Sequence, residues 1–233
     1  MRDMKNVVII SGSPKRESNS LGLALRFCGA IRQNNSDINV ETIPLSQSNL
    51  LPCKGCMSCT MTGKCQLDDG MASIKKGLKS ADVVIFCSPV HFNLASSVFH
   101  NFVERSLVDL HTFEYLGKPV INVLSTNGSG EKDADEYLTR IGLLFGMIKI
   151  GSLTISKNDP FDEKAFRKTV KSTIEVLNEE NRLKPSLRNS LYFNSMKKII
   201  INNPSFFIHE TKVWNERGWF DMSYKQIFHK GWT

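Results

Sequence analysis

Five short apolar runs recur along the chain, and each is followed by a segment with helical spacing. Asn6-Val7-Val8-Ile9-Ile10-Ser11 is β-branched throughout and bounded by Gly12, the signature of a strand buried on both faces. Ile38–Ile43 alternates like a second strand and is stopped by Pro44. Ala81–Ser88 is a third strand ended by Pro89, Lys118–Ser125 a fourth and Met147–Ser156 a fifth. Between them, Ser18-Asn19-Ser20 offers cap chemistry for a helix carrying Leu21, Leu23, Ala24, Leu25, Phe27 and Cys28. Asp68-Asp69 opens a helix that ends near Lys79, with acids suited to its N-terminal dipole. Further helices are predicted over Leu94–Leu110, from about Asp133 to Phe145, and over Asp162–Asn181. Residues 50–66 read as a loop. Strands alternating with helices in this way predict an α/β fold, a doubly wound five-stranded parallel sheet with helices on both faces. Ligands of such sheets lie beyond the carboxyl ends of the strands, so the loops at 12–19, 89–93 and 126–130 are expected to converge on one site.

Composition adds one asymmetry. The chain has 233 residues and a net charge of +7, with 41% hydrophobic residues. That is ordinary globular composition, and it excludes a disordered or fibrous protein. No apolar run approaches the ~20 residues that a bilayer span requires. The first six residues run straight into a strand without the apolar region of a signal peptide. The expectation is a cytoplasmic protein without membrane attachment. Residues 184–233 carry +5 of the net charge and all three tryptophans, Trp214, Trp219 and Trp232. The remaining +2 belongs to residues 1–183. The chain thus divides into a core, 1–183, and a basic, aromatic C-terminal extension, 184–233. The basicity sits in the extension, away from the predicted site, and does not argue for nucleic acid. The extension's aromatics are too many to leave exposed, so it is expected to pack on the core or on a second copy. A further expectation is that one of its tryptophans covers the site.

The loop after the first strand, Gly12-Ser13-Pro14-Lys15-Arg16-Glu17-Ser18-Asn19-Ser20, leads into a helix N-terminus. Free N–H groups and a positive dipole end there suit an anion. Ser13, Ser18, Asn19 and Ser20 add polar side chains, and Lys15 or Arg16 adds charge. The loop has neither a Walker A nor a G-x-G-x-x-G pattern, and its hydroxyl-rich, glycine-poor character suits a terminal phosphomonoester. The second loop, Pro89-Val90-His91-Phe92-Asn93, is apolar and aromatic and offers a platform for a planar ring. The third, Thr126-Asn127-Gly128-Ser129-Gly130, has two glycines that let backbone approach a ligand closely.

Cysteine usage is equally uneven. Cys53, Cys56, Cys59 and Cys65 form C-x2-C-x2-C-x5-C in one loop with Gly55 and Gly63. Three thiolates spaced by three residues can wrap one face of a cubane, and Gly63 lets the chain return with the fourth. The spacing is close to the compact bacterial [4Fe–4S] pattern, although the last gap is longer and no proline follows Cys65. Zinc is a weaker reading, because a zinc ribbon separates its two C-x2-C knuckles by a longer stretch. Free thiols are the third reading, and the spacing alone leaves it open. Cys28 and Cys87 sit in apolar surroundings and read as core residues.

Together, G-S-P-[KR]-x-x-S-N-[ST] after a strand, the C-x2-C-x2-C run, D-D-[GM]-M and A-D-x-x-[IV]-x-x-S-P-V resemble the flavodoxin-like NAD(P)H-dependent FMN reductases, more narrowly their iron–sulfur flavoprotein branch. The resemblance covers about residues 5–180. It implies strand order 2-1-3-4-5, a homodimer or homotetramer, and FMN at the strand ends. By position it puts the FMN phosphate on Ser13, Lys15, Ser18, Asn19 and Ser20. It lays the isoalloxazine ring against Pro89, Val90, His91, Phe92 and Asn93, with Thr126, Asn127, Gly128 and Gly130 near its other edge. It would make Cys53, Cys56, Cys59 and Cys65 ligands of a [4Fe–4S] cluster. His91 stands where the family commonly has Tyr, and Thr126-Asn127-Gly128 replaces a Thr-Ser-Gly-type run. The implied activity is an oxidoreductase passing electrons from NAD(P)H or a reduced protein to a small-molecule or protein acceptor, with no catalytic residue beyond the flavin. A non-enzymatic electron carrier and a metal-stabilised interaction module without flavin are the competing classes.

Overall fold

A computed structural model describes residues 4–34, 37–179 and 183–230. The β-branched runs form parallel strands β1 (Lys5–Ser11), β2 (Ile38–Pro44), β3 (Val83–His91), β5 (Pro119–Thr126) and β6 (Ile148–Ser156). Their order is β2-β1-β3-β5-β6, and a two-residue strand, β4 (Leu94–Ala95), pairs antiparallel with the end of β3. With β4 set aside, this is the 2-1-3-4-5 order of a flavodoxin-like sheet. Val7–Ile10 and Val83–Cys87 are fully buried, as central strands covered on both faces must be.

Helices α1 (Asn19–Asn34) and α7 (Glu163–Leu177) cover one face. There Leu23, Phe27 and Ile31 meet Ile9, Ile85, Phe166 and Val170. Helices α3 (Met71–Ser80), α4 (Ser97–Arg105) and α6 (Glu131–Leu144) cover the other, with Ile74, Leu78, Phe99, Phe102 and Leu138 on Val8, Ile10, Phe86 and Leu124.

Several elements depart from the pattern reading. Pro89 does not end the third strand, because β3 continues to His91 with Pro89 opposite Ser125. Pairing with β1 has already stopped at Cys87, so the missing proline N–H costs no ladder bond on that side. The expected helix over Leu94–Leu110 starts only at Ser97, capped by Ser96 Oγ accepting from Phe99 N at 3.2 Å, and breaks at Ser106 before α5 (Leu107–His111). The helix after Asp68-Asp69 starts at Met71, and the loop 50–66 contains a short helix, α2 (Ser58–Thr62). The last three residues of the expected helix over Asp162–Asn181 fall partly outside the described residues, and α7 ends at Leu177.

The C-terminal extension forms α8 (Leu187–Asn202), α9 (Ile208–Glu216) and α10 (Tyr224–Lys230). Ser186 and Asn189 build a reciprocal capping box at the start of α8. Phe193, Trp214, Trp219, Tyr224 and Phe228 cluster with Phe113 and Ile148. Trp214 is fully buried, stacks on Phe193 at 4.8 Å and donates through Nε1 to His111 O at 3.0 Å. The Tyr224 hydroxyl donates to Gly146 O at 3.0 Å, and Asn189 Nδ2 to Met147 O at 3.0 Å. Residues 111–118 and 145–148 lead into the amino ends of β5 and β6. Trp214 and Trp219 therefore seal the end of the sheet opposite loops 12–19, 89–93 and 126–130, and neither covers them. Trp232 lies outside the described residues.

Candidate flavin and cysteine sites

The parallel register carries the three predicted loops to one edge, and hydrogen bonds lace them together there. Gly12 N donates to Cys87 O at 2.7 Å, and Ser96 Oγ donates to Gly12 O. A Cβ on Gly12 would stand 2.7 Å from Phe99 Cβ, so only glycine lets the first loop lie against α4. The second and third loops meet where Asn93 packs on Gly130, whose φ is +90° and whose side a Cβ would fill. Asn93 Nδ2 also donates to Asp133 Oδ2 at 3.1 Å. Lys157 N donates to Thr126 O at 3.2 Å and ties the third loop to the end of β6.

Within the first loop, Ser18 caps α1: its Oγ accepts from Leu21 N at 3.3 Å. That cap leaves the Asn19 and Ser20 amides without an intrahelical partner at the positive end of the helix. Lys15 and Asn19 are exposed around it. Ser13 is buried, and its Oγ accepts from Lys15 N at 3.1 Å, which folds the loop back over the helix end. Ser20 is different. Its hydroxyl is fully buried, 3.4 Å from Ser18 Oγ, and bonds to the Cys87 thiol. Burial pushes Cys87, and likewise Cys28, up to about 12, so both thiols stay protonated core groups.

The second loop is a two-residue hairpin. His91 pairs with Leu94, and Phe92 and Asn93 both have positive φ, +48° and +62°. Two left-handed residues in succession make the type I′ geometry that suits strand twist. Asn tolerates it, whereas Phe carries the Cβ strain of the left-handed region. Phe92 is also fully exposed. A strained, solvated aromatic at the mouth of the sheet is the local anomaly of this edge. Pro89 and Val90 are half-buried beneath it, and His91 is exposed. In the third loop, Thr126 Oγ1 accepts from Gly128 N and donates to Ser129 O, both at 3.2 Å, while Asn127 and Gly128 stay exposed.

Cys53, Cys56, Cys59 and Cys65 line one cavity of about 170 Å³ with Met57, Leu67 and Leu107. Among the described residues, no three His, Cys, Asp or Glu side chains are grouped to hold a single metal ion. The thiols thus surround a space without converging on a point. Sequence reasoning missed two neighbours. Arg105 Nη2 lies 3.5 Å from Cys65 Sγ, and the same guanidinium pairs with Asp69, both side chains being buried. Burial pushes the Asp69 carboxyl up, but the bond from Arg105 and the amides of Leu51 and Met71 outweigh it and hold it below its usual value. From the extension, the His209 ring occupies the space a Cβ on Gly63 would need, and Oε1 of buried Glu210 lies 2.9 Å from His111 Nδ1. The signal for Arg105 was its phase: it lies three residues after buried Phe102 and four before Asp109 on the face that α4 and α5 bury.

Comparison with known proteins agrees with this architecture. Residues 5–160 match the family model described as NADPH-dependent FMN reductase. An iron–sulfur flavoprotein of Methanocaldococcus jannaschii is 32% identical over 157 residues, 66% of this chain and 77% of that protein. One from Archaeoglobus fulgidus is 24% identical over 222 residues, 92% of this chain and 99% of its own length, so that likeness reaches into the C-terminal extension. Among solved structures, an apo NADH:FMN oxidoreductase superposes with a TM-score of 0.56 at 17% identity, covering 79% of this chain and 94% of that one. An NAD(P)H:quinone oxidoreductase from Methanothermobacter marburgensis gives 0.53 at 12% identity, covering 78% and 100%. At such identities the two structures speak for the fold alone.

Proposed function

The chain belongs to the NADPH-dependent FMN reductase family, in its iron–sulfur flavoprotein branch, and from that premise we propose where this FMN-dependent oxidoreductase holds its cofactors and what it exchanges. The observation that carries the reading is the lacing of three strand-end loops at one edge, an anion-ready helix end beside a strained aromatic tip. The FMN phosphate belongs over the amino end of α1, on the Asn19 and Ser20 amides, the Ser13, Ser18 and Asn19 side chains and Lys15. Ser20 contributes its amide, since its hydroxyl is engaged inside with Ser18 and Cys87. The ring belongs between the Pro89–Asn93 hairpin and the Thr126–Gly130 turn. Pro89 and Val90 give it an apolar floor, Phe92 a face, and Asn127 and Gly128 exposed backbone at its edge. When bound, FMN supplies hydride acceptance and electron delivery, and the protein's work is binding, orientation and exclusion of water.

The reading takes NAD(P)H as donor and an organic or protein acceptor. It assigns the four cysteines to a [4Fe–4S] cluster, supported by their common cavity and by the names of the relatives. The test is an anaerobic preparation assayed for flavin, iron and sulfide, followed by steady-state oxidation of NADH and NADPH with quinone, nitro and azo acceptors. Stoichiometric FMN with turnover of a reduced nicotinamide is the expected result. Protein that releases no FMN on heating overturns the flavin site. FMN without nicotinamide turnover, but with reduction by a ferredoxin-like protein, makes the chain an electron carrier.

A further inference from the structure

We propose that Arg105 and Asp69 form a clasp that closes the cysteine loop and fixes a buried positive charge against Cys65. The proposal rests on the cysteine segment being a cluster site, the reading given above. The geometry begins with the loop's two ends. Leu51 precedes Cys53, and Asp69 follows Cys65. Leu51 N donates to Asp69 Oδ2 at 2.9 Å, and Leu51 O accepts from Arg105 Nη1 at 2.7 Å. Arg105 also grips the Asp69 carboxylate through both terminal nitrogens, with Nη2 at 3.1 Å from Oδ1. Asp69 Oδ1 in turn accepts from Met71 N at 3.1 Å, which anchors the carboxylate to α3. One fork-to-fork pair therefore joins the entry of the loop, its exit and helix α4. Bidentate guanidinium–carboxylate pairs have the directional rigidity for that task.

The side chains of Arg105 and Asp69 are 0% and 3% exposed. A buried pair of this kind is weak evidence of stabilisation, since desolvation offsets most of its attraction. A pair that stabilises so little invites another use, and the third partner supplies one: Nη2 lies 3.5 Å from Cys65 Sγ. Arg105 Nε, moreover, has no hydrogen-bond partner although it is buried. The guanidinium thus has donor capacity beyond what Asp69 and Leu51 use. A cation and N–H donors held beside a ligating thiolate stabilise the more electron-rich state of whatever that sulfur binds, and hydrogen bonds to cluster sulfurs are a principal lever on reduction potential. Arg105 is a positioning residue. It touches the ligand sulfur and not the reacting atoms of a substrate.

The experiment uses the full chain, reconstituted anaerobically with iron and sulfide, as wild type and as Arg105→Met, Arg105→Lys and Asp69→Asn. Two quantities are read: the midpoint potential at matched iron content, and the exchange rate of the Leu51 amide in iron-free protein. Arg105→Met is expected to lower the potential and to release iron to a chelator ~10-fold faster or more. Arg105→Lys, which keeps the charge, restores part of the potential. Asp69→Asn speeds Leu51 exchange several-fold. A purely structural Arg105 would lower iron retention and leave the potential of the loaded protein unchanged, and that result overturns the proposal. Should Arg105→Met not fold, Arg105→Gln takes its place, and an unchanged potential in that variant overturns the proposal equally. If wild-type protein takes up no iron, the cluster reading falls on its own. The clasp then stands or falls on whether Leu51 exchange in iron-free Asp69→Asn exceeds that of wild type.

Discussion

The two ends of the sheet are built on opposite principles. At the amino ends of β5 and β6, four large aromatics pack against one another. Trp214, Phe193, Phe113 and Tyr224 interlock, and the indole and phenol polar tips reach the backbone of His111 and Gly146. At the carboxyl ends, a phenylalanine stands in solvent with a backbone it dislikes, and a helix begins with free amides. The first end buries its aromatics, although it too holds a positive φ at Phe113 and an unpartnered hydroxyl at Tyr115. The second carries deficits that a ligand would relieve. Aromatic content alone would have pointed to the wrong end, because both ends have it and only one leaves a strained aromatic in solvent.

The difference can be broken by substitution. Trp214→Ala removes a fully buried ring from the amino end and is expected to cost ~3–5 kcal/mol in urea denaturation. Flavin affinity, measured at low temperature where the variant stays folded, should be unchanged. A matching loss of flavin would show that the two ends are coupled. Gly12→Ala attacks the other end, where the new methyl meets Phe99. Overpacking of ~1–3 kcal/mol and a large fall in flavin retention on gel filtration are expected together.

Phe92→Asn sharpens the comparison with a change of sign. Asn accepts a positive φ far better than Phe, so the fold should gain up to ~1 kcal/mol. Flavin should dissociate faster, as followed by fluorescence. A site built for stability would lose on both counts. The smallest effect concerns pH. Glu114 receives Lys79 at 2.8 Å and Arg217 at 3.1 Å, and so ties the extension to the core. Burial pushes its carboxyl up, yet those two bonds outweigh burial and hold it below its usual 4.5. A depressed folded value means that the contribution is complete above pH 4.5 and disappears as pH falls through the folded value. The expected loss is ~0.5–1 kcal/mol, seen as a shift in the tryptophan-monitored urea midpoint, and Glu114→Gln should flatten that dependence.

The strands were legible because runs such as Val7–Ile10 and Val83–Cys87 are buried on both faces and carry no polar interruption. Parallel topology then placed the three loops without further information. The hairpin at Phe92-Asn93 was hidden because its turn lacks the Asn-Gly or Asp-Gly pair that announces type I′ geometry, and Leu94, Val98 and Phe102 kept helical spacing across it. The inward turn of Ser20 was hidden too, since a hydroxyl in a cap sequence reads the same whether it faces solvent or a neighbouring thiol. Arg105 escaped notice because its partners, Leu51, Cys65 and Asp69, are distant in sequence and meet it only when α4 folds over the loop. The fate of the tryptophans depended on long-range packing against residues 111–118 and 145–148, which composition cannot express.

The contact of His209 with Gly63 has a temporal consequence. A ribosome releases the cysteine loop long before it releases α9, so the loop can close through Asp69 and Arg105 while the helix that packs on Gly63 is still unsynthesised. Cys53, Cys56 and Cys65 stay exposed in the finished fold, so the arrival of α9 braces Gly63 without closing the thiols off.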